Sequence, residues 1–380
     1  MLPFFYTVKN LQREPGRTVQ IILGAFAVVL LVMLSLSFDS SMNRMLGSTG
    51  NPNNVILLST GSTESLQRSS IPGEATTVAA ATPGVVKGDR PRVSTEVHCM
   101  TPVIFPGGQK GRAYIRGIGP EAFTVHDTVR LTDGRLPKPG EILVGELTYH
   151  ALGVDKADVA LGKTITLGGA KFRISGHFAA PNTRYESEIW GDRSDILALT
   201  KRENPSCVIA TTEGKGAKAL QNMAFRRSDL ELAAVSETKY YEDLAKFFGP
   251  IVTITWLSAL LVAIGALFGG FNTLYAAFGS RTRELAALQA MGFTRMNIFC
   301  SLLIEALLSC MLGTLLACVL CVFVFSDATI SLSAGTLTLH FDAATLIYGM
   351  LTGVGLGLIG AALPAWSCLR VPLPTALRSI

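Results

Sequence analysis

Two glycine-containing stretches carry the residue types that bind phosphate groups. "ALGKTI" contains Gly162-Lys163-Thr164, the end of a phosphate-binding loop, but Ala157 stands where that loop needs its first glycine. "GVGLGLIG" has the Gly355-x-Gly357-x-x-Gly360 spacing of a dinucleotide-binding turn, but it lies inside a long apolar run. Neither stretch predicts a nucleotide site, and we expect this chain to bind no cofactor of its own.

The other acids, bases and nucleophiles show no pattern of a catalytic or metal site. The five histidines lack metal-ligand spacing, and no Ser/His/Asp set or carboxylate pair stands out. Of the seven cysteines, Cys99 and Cys207 lie in the polar part of the chain, where either a disulfide between them or two free thiols are compatible with the sequence. We therefore expect no catalytic residue and no metal ion.

One carboxylate, Glu305, lies inside an apolar run. Ionisable side chains are costly in a membrane, which makes Glu305 a candidate for handling a proton or a substrate. It also lies near one end of its run, where it could reach the lipid headgroups or pair with Arg295. We favour the structural role and keep the functional one open.

The cationic stretch "RTRELAALQAMGFTRMN" separates two apolar runs. Read as a helix, it has Leu285 and Leu288 on one face and Gly292 at the position where a helix commonly ends. Phe293 would then pack back on Leu288, and the threonine that follows would cap the next helix. We predict a short helix with a defined end, a shape that a plain solvated loop does not need.

Composition places the chain in a membrane. Its 380 residues are 49% hydrophobic and only 16% charged, with a mean hydropathy of +0.39. The net charge of +5 is small and the basic residues form no runs, so we expect no nucleic-acid partner. Four apolar segments can each cross a bilayer, which takes about 20 residues. The predicted order is an amphipathic N-terminal segment (1–17), TM1 (18–38), an outer domain (39–246), TM2 (247–279), a short connecting segment (280–297), TM3 (298–325), a loop (326–340), TM4 (341–366) and a tail (367–380).

The positions of lysine and arginine predict the orientation. Basic residues lie before TM1, between TM2 and TM3 and after TM4, whereas the loop 326–340 has none. Because basic flanks stay inside the cell, both termini and the segment 280–297 are predicted to be cytoplasmic, and 39–246 to be extracytoplasmic. The expectation is a multi-pass protein of the cell membrane, in contact with lipid.

The outer segment reads as an α+β domain. The patterns in 39–90 and 205–246 favour a split β-α-β layer, into which the β-rich stretch 91–204 is inserted. Gly168-Gly169 predicts a hairpin and "ESLQRSSIP" a short helix. "ETKYYEDLAKFFGP" predicts a helix that runs straight into TM2. The fold class is thus an α-helical membrane protein with four transmembrane helices and an α+β domain between the first and second.

Two pairs of glycines four residues apart predict close helix packing in the membrane. Gly265 and Gly269 lie in TM2, and Gly353 and Gly357 lie in TM4. Such spacing lets another helix approach closely. Whether that helix belongs to the same chain or to a second copy stays open.

The stretch "SRTRELAALQAMGFTRMNIFCSLLIEALL" resembles the core of the FtsX-like permease family, and "LPAWSCLRVPLPTALR" resembles the end of that domain. "IRGIGPEAF" and "LTDGRLPKPGEILVG" resemble the MacB-type extracytoplasmic domain. The matching residues in the permease part are Arg281, Glu284, Leu285, Leu288, Ala290, Gly292, Glu305, Pro364, Ala365, Pro374, Ala376, Leu377 and Arg378.

The resemblance implies a MacB-type (type VII) ABC transporter permease in the inner membrane. Such a permease is a homodimer, not itself an enzyme, and binds two copies of a separate ATPase that carries ATP and Mg. Its outer domain is a porter subdomain with an inserted Sabre subdomain, which movement of the ATPases displaces by mechanotransmission. The implied ATPase-coupling residues are Arg281, Arg283, Glu284, Leu285, Leu288 and Gly292.

Several alternatives remain open at the level of sequence. The permease could serve efflux or export, with or without a periplasmic adaptor and an outer-membrane channel. It could instead extract a lipoprotein or lipid. From a different class, the chain could be a membrane-anchored sensor, although it shows no cytoplasmic output element.

Overall fold

The computed structural model describes residue 11 and residues 13–326, 328–332 and 335–370. The prediction of an amphipathic N-terminal segment and those for Pro374, Ala376, Leu377 and Arg378 concern residues that lie wholly or largely outside this part. The helices are α1 (Pro15–Thr49), α2 (Glu74–Ala81), α3 (Ala122–Val125), α4 (Thr148–Leu152), α5 (Arg193–Thr200), α6 (Gly216–Arg226), α7 (Glu237–Phe247), α8 (Gly249–Ser280), α9 (Thr282–Ala290), α10 (Arg295–Leu320) and α11 (Ala343–Leu369).

The strands fall almost entirely between α1 and α7. Short 3-10 turns occur at Thr60–Ser62, Lys156–Val159, Arg184–Ser187 and Ser228–Leu230, and a π-helical turn at Cys321–Phe325 continues α10. The strands are β1 (Asn54–Ser59), β2 (Val93–Ile104), β3 (Lys110–Ile118), β4 (Arg130–Gly134), β5 (Glu141–Gly145), β6 (Thr164–Leu167), β7 (Ala170–Ala179), β8 (Ile189–Asp192), β9 (Cys207–Thr211), β10 (Leu232–Ser236), β11 (Thr329–Leu332) and β12 (Gly335–Thr338).

The chain folds into two compact units. The membrane unit comprises the chain up to Ser40, Pro250–Ala328 and the chain from Leu339 onward. The outer unit comprises Ser41–Gly249 and Thr329–Thr338. The long helix α1 contributes residues to both units, so its two ends belong to different packing environments.

The membrane unit contains four helices long and apolar enough to span a bilayer, as predicted. With the π-helical turn counted into α10, they have 35, 32, 31 and 27 residues. At about 1.5 Å per residue even the shortest is about 40 Å long, which exceeds a hydrocarbon core of about 30 Å. α1 continues well past the predicted end of TM1 because no glycine or proline interrupts the polar stretch "DSSMNR" that follows it.

The junction before the second membrane helix differs from the prediction. α7 ends at Phe247 and α8 starts at Gly249, so the two helices are separate. Pro250 explains the break, because proline lacks the N–H that would bond to the Lys246 carbonyl and its ring clashes with that carbonyl. The segment "ETKYYEDLAKFFGP" is therefore mostly helical, but its helix ends before the membrane helix begins.

The outer unit is built on one ten-stranded sheet in the order β10-β1-β9-β2-β3-β8-β5-β7-β4, with β6 pairing β2 and β7. The long strand β2 joins its two halves: residues 93–96 pair with β9, and residues 97–104 pair with β3. The predicted start of the β-rich insertion, residue 91, lies just before this strand. One apolar cluster packs in the half that contains β9 and two pack in the half that contains β3, so β2 connects separate cores.

Two local predictions in the outer unit have opposite outcomes. Gly168 and Gly169 form the turn between β6 and β7 with φ of +54° and +95°, which confirms the hairpin. No helix forms over "ESLQRSSIP", so that prediction is wrong. Tertiary bonds take over there: the Leu66 N–H donates to the Tyr240 hydroxyl at 3.2 Å, and the Ser69 hydroxyl accepts from the Ser59 N–H at 2.9 Å.

The predicted loop between the third and fourth membrane helices contains a hairpin. β11 and β12 pair antiparallel and belong to the outer unit. The Ser331 hydroxyl donates to the His150 carbonyl at 3.1 Å, and the Thr336 N–H donates to the Ser187 hydroxyl at 3.2 Å. Alternating Thr, Ser and Leu residues fit a short strand, but the contacts that hold the hairpin come from distant sequence.

Candidate functional site

The segment between α8 and α10 forms the short helix α9, as predicted. Leu285, Ala286 and Leu288 are buried on one face, where the two leucines join an apolar cluster from α8, α10 and α11. Arg283 and Glu284 lie on the exposed face. The helix is therefore fixed to the membrane helices through its leucines and presents its charged side chains outward.

The end of α9 is the predicted glycine stop. Gly292 has φ +98°, and its N–H donates to the Gln289 carbonyl at 3.0 Å. The Phe293 N–H donates to the Leu288 carbonyl at 3.2 Å, which completes the two-bond pattern of a Schellman motif. The Thr294 hydroxyl accepts from the N–H of Asn297 at 3.3 Å and caps α10. These bonds define the orientation of α9 at its C-terminal end.

Glu305 holds the other end of α9. One carboxylate oxygen pairs with Arg17 of α1, and the other lies 3.3 Å from Nη1 of Arg281, the residue that precedes α9. These two arginines take the place of Arg295, the partner considered from the sequence. Arg295 is the first residue of α10, ten positions and about 15 Å along the helix from Glu305, which is too far for an ion pair.

The buried pairs are part of a larger chain of charges. Arg17 also donates to Glu14 at 3.1 Å, and Arg281 also donates to Glu284 at 3.3 Å. Glu284 in turn lies 3.9 Å from Arg13, which is next to Glu14 in sequence, so the chain of pairs closes into a ring. The ring joins α1, α9 and α10, and its members are Arg13, Glu14, Arg17, Glu305, Arg281 and Glu284.

The two glycine pairs of the membrane helices differ in what they contact. A Cβ atom at Gly353 would meet Thr314 of α10, and one at Gly357 would lie 3.1 Å from the Leu307 backbone, so both glycines serve packing within the chain. At Gly265 and Gly269 a Cβ atom would have no described atom within 4 Å. The open question about the packing partner is thus answered for α11 but not for α8.

A buried polar cluster in the outer unit was not predicted from the sequence. Arg116 Nη1 lies 2.6 Å from Glu96 Oε2, and Arg116 also pairs with Glu188 through Nε at 2.8 Å. His126 Nε2 lies 2.7 Å from the second oxygen of Glu96, and Trp190 donates to Glu188 at 3.0 Å. All these side chains are buried, so the cluster lies in the core of the domain, and His126 also lines a pocket there.

The charge states of the cluster follow from burial and neighbours. Burial opposes ionisation of Glu96, but attraction to His126 and Arg116 outweighs it and holds the pKa of Glu96 well below its usual value. Burial and the adjacent Arg116 lower the pKa of His98 to about 4, so its imidazole is neutral at pH 7. Burial also raises the pKa of Glu237, which accepts hydrogen bonds from Asn54 and Tyr185.

One triad of this cluster has metal-ligand chemistry. The donor atoms of Glu96, His98 and Cys207 all lie within 4.8 Å of one another. However, the guanidinium of Arg116 is bound to the Glu96 oxygen that faces His98, and the second His98 nitrogen lies 3.0 Å from the Tyr114 hydroxyl. A metal ion would have to displace these bonds and lie beside a fixed positive charge, so the triad does not fit one.

Cys99 and Cys207 are free thiols, so the disulfide considered from the sequence does not form. Cys207 is directly opposite Glu96 in the pairing of β9 with β2, and paired residues point to the same face of a sheet. Cys99 is three positions further along β2 and points to the other face, into the apolar core. The sheet therefore separates the two sulfur atoms.

The sequence contains a weak signal for the missed cluster. Glu96 and His98 alternate in "TEVHCM", so they share one face of a strand, and Arg116 interrupts the apolar run "AYIRGIG". Charged residues in the middle of core strands usually have partners. What the sequence does not contain is the register that sets His98 opposite Arg116, and Arg116 opposite Trp190.

Comparison with known proteins identifies both parts of the chain. Residues 19–223 match the MacB-like periplasmic core domain, and residues 256–373 match the FtsX-like permease C-terminal domain. The first match alone covers more than half of the 380 residues. It spans TM1 and most of the outer domain.

Curated relatives carry the name "Macrolide export ATP-binding/permease protein MacB". The protein from Campylobacter jejuni subsp. jejuni serotype O:23/36 is 30% identical over 282 residues, which are 67% of this chain and 42% of the relative. The protein from serotype O:2 of the same subspecies is 22% identical over the same shares. The chain thus spans less than half the length of these relatives.

A solved structure is also similar to part of this chain. The periplasmic region of MacB from Actinobacillus actinomycetemcomitans has 12% sequence identity and a TM-score of 0.39, and the match covers 52% of this chain and 94% of that one. On the strength of the two domain matches, the chain belongs to the MacB-like family of FtsX-like permeases, with a periplasmic core domain between its first and second membrane helices.

Proposed function

We propose that this chain is the permease subunit of a MacB-like ABC transporter and that α9 is the element on which an ATPase acts. The observation that carries the proposal is the construction of α9. It is a short helix with buried leucines, a glycine stop at one end and ion pairs to Glu305 at the other, and its exposed face carries Arg283 and Glu284. An element fixed in this way can transmit a displacement to the membrane helices, whereas a solvated loop would deform instead.

ATP and Mg are proposed to be bound by a separate ATPase, present in two copies. The Gly162-Lys163-Thr164 stretch supports this, because it forms the turn into β6 and not a loop between a strand and a helix. Arg281, Arg283 and Arg295, in and beside α9, and the absence of Lys and Arg from 326–340 support a cytoplasmic α9 and cytoplasmic termini.

The proposed output is movement of the outer domain by mechanotransmission. α1 supports this proposal because it is continuous from Pro15 to Thr49. Near its start Arg17 is bound to Glu305, and at its end the Thr49 hydroxyl accepts from the Arg184 N–H at 2.8 Å. One continuous helix therefore forms an ion pair in the membrane unit and a hydrogen bond in the outer unit. The transported substrate, an adaptor and an outer-membrane channel are left unassigned.

A homodimer is part of the proposal. α8 is the least covered of the four membrane helices, since only 6% of the residues in its most apolar stretch are buried. Gly265 and Gly269 lie on it with open space in front of them. A second copy packed against this helix would use the glycines as their spacing suggests.

The test is association with an ATPase. Tagged full-length protein is purified from its native membranes, and ATP hydrolysis sensitive to vanadate is measured in the eluate. We expect activity with the wild type and its loss with Glu284→Lys, which reverses a charge on the exposed face of α9. Asp243→Lys, a reversal at an exposed site on α7, is the matched control and should retain the activity. Wild-type protein without ATPase activity, or full activity with Glu284→Lys, would refute the proposal.

A further inference from the structure

Glu305 is bound by two arginines that come from different helices. Arg17 belongs to the first turns of α1, and Arg281 immediately precedes α9. Each arginine uses a different oxygen of the carboxylate. The three side chains are only 8%, 11% and 3% exposed for Arg17, Arg281 and Glu305, respectively, so they form one buried centre between three elements.

The buried centre differs in strength from the rest of the ring. Arg13 and Glu284 are 61% and 51% exposed and 3.9 Å apart, and an exposed pair of this kind contributes little. By contrast, taking one partner from a buried ion pair leaves an uncompensated charge, which is strongly unfavourable. The ionic contact between α1 and α9 therefore depends on Glu305 and not on the exposed pair of Arg13 and Glu284.

The same geometry argues against a role for Glu305 in proton transfer. Both carboxylate oxygens are occupied by guanidinium groups. Arginine does not release its proton in proteins, so neither partner can pass one to or from the carboxylate. Of the two roles that the sequence left open, the geometry supports the structural one and gives it a specific location.

We infer that Glu305 is a positioning residue that makes α9 and the start of α1 move together. This inference rests on the proposed function for its meaning, because α9 is the element on which the ATPase would act. The carboxylate lies on α10, so α10 is the body against which the two helices are held. Without the carboxylate, α9 would keep its leucine contacts and its glycine stop but lose its buried ionic connection to α1.

The experiment measures the distance between α1 and α9 in the full-length protein in lipid nanodiscs. Spin labels replace the exposed residues Val19 on α1 and Ala287 on α9. They are introduced as a non-natural amino acid, because the chain has seven cysteines of its own. Pulsed electron paramagnetic resonance then gives the distribution of label distances. Glu305→Gln is compared with the wild type, and Asp243→Asn at the exposed pair on α7 is the matched control.

We expect a narrow distribution for the wild type and the control, and one about twofold broader for Glu305→Gln, because two buried arginines lose their shared partner. An unchanged width in Glu305→Gln would overturn the inference. If that variant does not fold, Arg281→Lys is used instead. It keeps every charge, removes the planar fork and should also broaden the distribution.

A second measurement uses protein that co-purifies with its ATPase. On addition of ATP and vanadate, the label distance should stay constant in the wild type and shift in Glu305→Gln. A shift of equal size in both would overturn the inference. If no ATPase binds the wild type, the proposed function fails, whereas the width measured without nucleotide still decides whether Glu305 holds α1 and α9 together.

Discussion

Arg116 donates to both oxygens of Glu188, from Nε to Oε2 at 2.8 Å and from Nη2 to Oε1 at 3.1 Å. Both side chains are fully buried in the outer unit. The remaining Nη1 group of Arg116 donates to Glu96, so one guanidinium compensates two buried carboxylates. Because β3 carries Arg116, β8 lies next to Glu188 and β2 carries Glu96, this arginine holds the central strands of the sheet together.

Removal of this guanidinium should strongly destabilise the outer domain. Arg116→Met leaves Glu96 without its guanidinium and Glu188 with Arg184 alone, whose Nε lies 3.5 Å away, and we expect a loss of about 3–5 kcal/mol of unfolding free energy. Trp190 donates to Glu188 and is a reporter within the cluster. The measurement is denaturant unfolding of the full-length protein followed by its fluorescence, with Trp256 and Trp366 replaced by phenylalanine.

An exposed arginine with similar geometry provides the control for that measurement. Arg135 donates to both oxygens of Glu141 at 2.6 Å, but its side chain is half exposed. Arg135→Gln should leave the unfolding midpoint unchanged, because water and salt screen this pair. Equal midpoint shifts for Arg116→Met and Arg135→Gln would show that burial does not determine how much an Arg–Glu pair contributes to stability.

Because His98 resists protonation in the folded protein, the outer domain should be less stable in mild acid than at neutral pH. Burial and Arg116 lower its pKa from 6.5 to about 4 in the folded protein. The unfolded chain therefore takes up a proton near pH 6.5, while the folded protein resists it until about pH 4. The contribution of His98 to the free energy of unfolding is largest above pH 6.5. It falls as the pH is lowered from 6.5 towards 4, by about 1.4 kcal/mol per pH unit at most.

The matched variant for this prediction is His98→Gln, whose amide can still bond to Glu96 and Tyr114. The difference in unfolding free energy between wild type and variant, measured from pH 7 to pH 5, isolates the contribution of His98. Arg116 helps to hold the pKa values of Glu96 and Glu188 low, so both stay ionised in the folded protein over this range, and the titration of Glu237 cancels in the difference. A difference that does not change with pH would contradict the assignment of a neutral, buried imidazole.

Local predictions succeeded where the signal lies within a few residues. Gly292 and Phe293 define the end of α9 because the Schellman bonds join residues at most five positions apart. The four membrane helices follow from the length and composition of each segment alone. In both cases the physical cause and the sequence signal lie in the same stretch of chain.

Predictions failed where the partner comes from far along the chain. Arg17 and Glu305 are 288 residues apart, so no rule about sequence spacing could identify Arg17, instead of Arg295, as the partner of Glu305. The Glu96 cluster depends on strand register, and the hairpin β11–β12 depends on contacts with His150 and Ser187. These features arise from how the elements pack, and a single sequence carries little information about that.

The two cysteines of the outer domain should react only after unfolding. Burial raises the pKa of Cys99 and, further, that of Cys207, which leaves little thiolate on either. With a maleimide reagent and no reductant, we expect no modification of either residue in the folded protein and full modification of both in denaturant. Peptide mass spectrometry reads out each site. A pair that stays unmodified in denaturant until a reductant is added would show that a disulfide exists after all.

The same substitution in the two glycine pairs should separate packing within the chain from packing between copies. A Cβ atom at Gly353 would press on the Thr314 hydroxyl, which cannot rotate away without losing its hydrogen bond to the Cys310 carbonyl. Gly353→Ala should therefore cost about 1–3 kcal/mol of unfolding free energy, seen as a lower thermal midpoint in detergent. A Cβ atom at Gly269 would have no described atom within 4 Å outside the backbone of its own helix, and alanine favours helix, so Gly269→Ala should leave the midpoint of the monomer unchanged or slightly raised. If a second copy packs on α8, Gly269→Ala should instead weaken self-association, measured by mass photometry over a dilution series, while Gly353→Ala should not. Loss of monomer stability in Gly269→Ala would mean that a partner for this glycine lies within the chain.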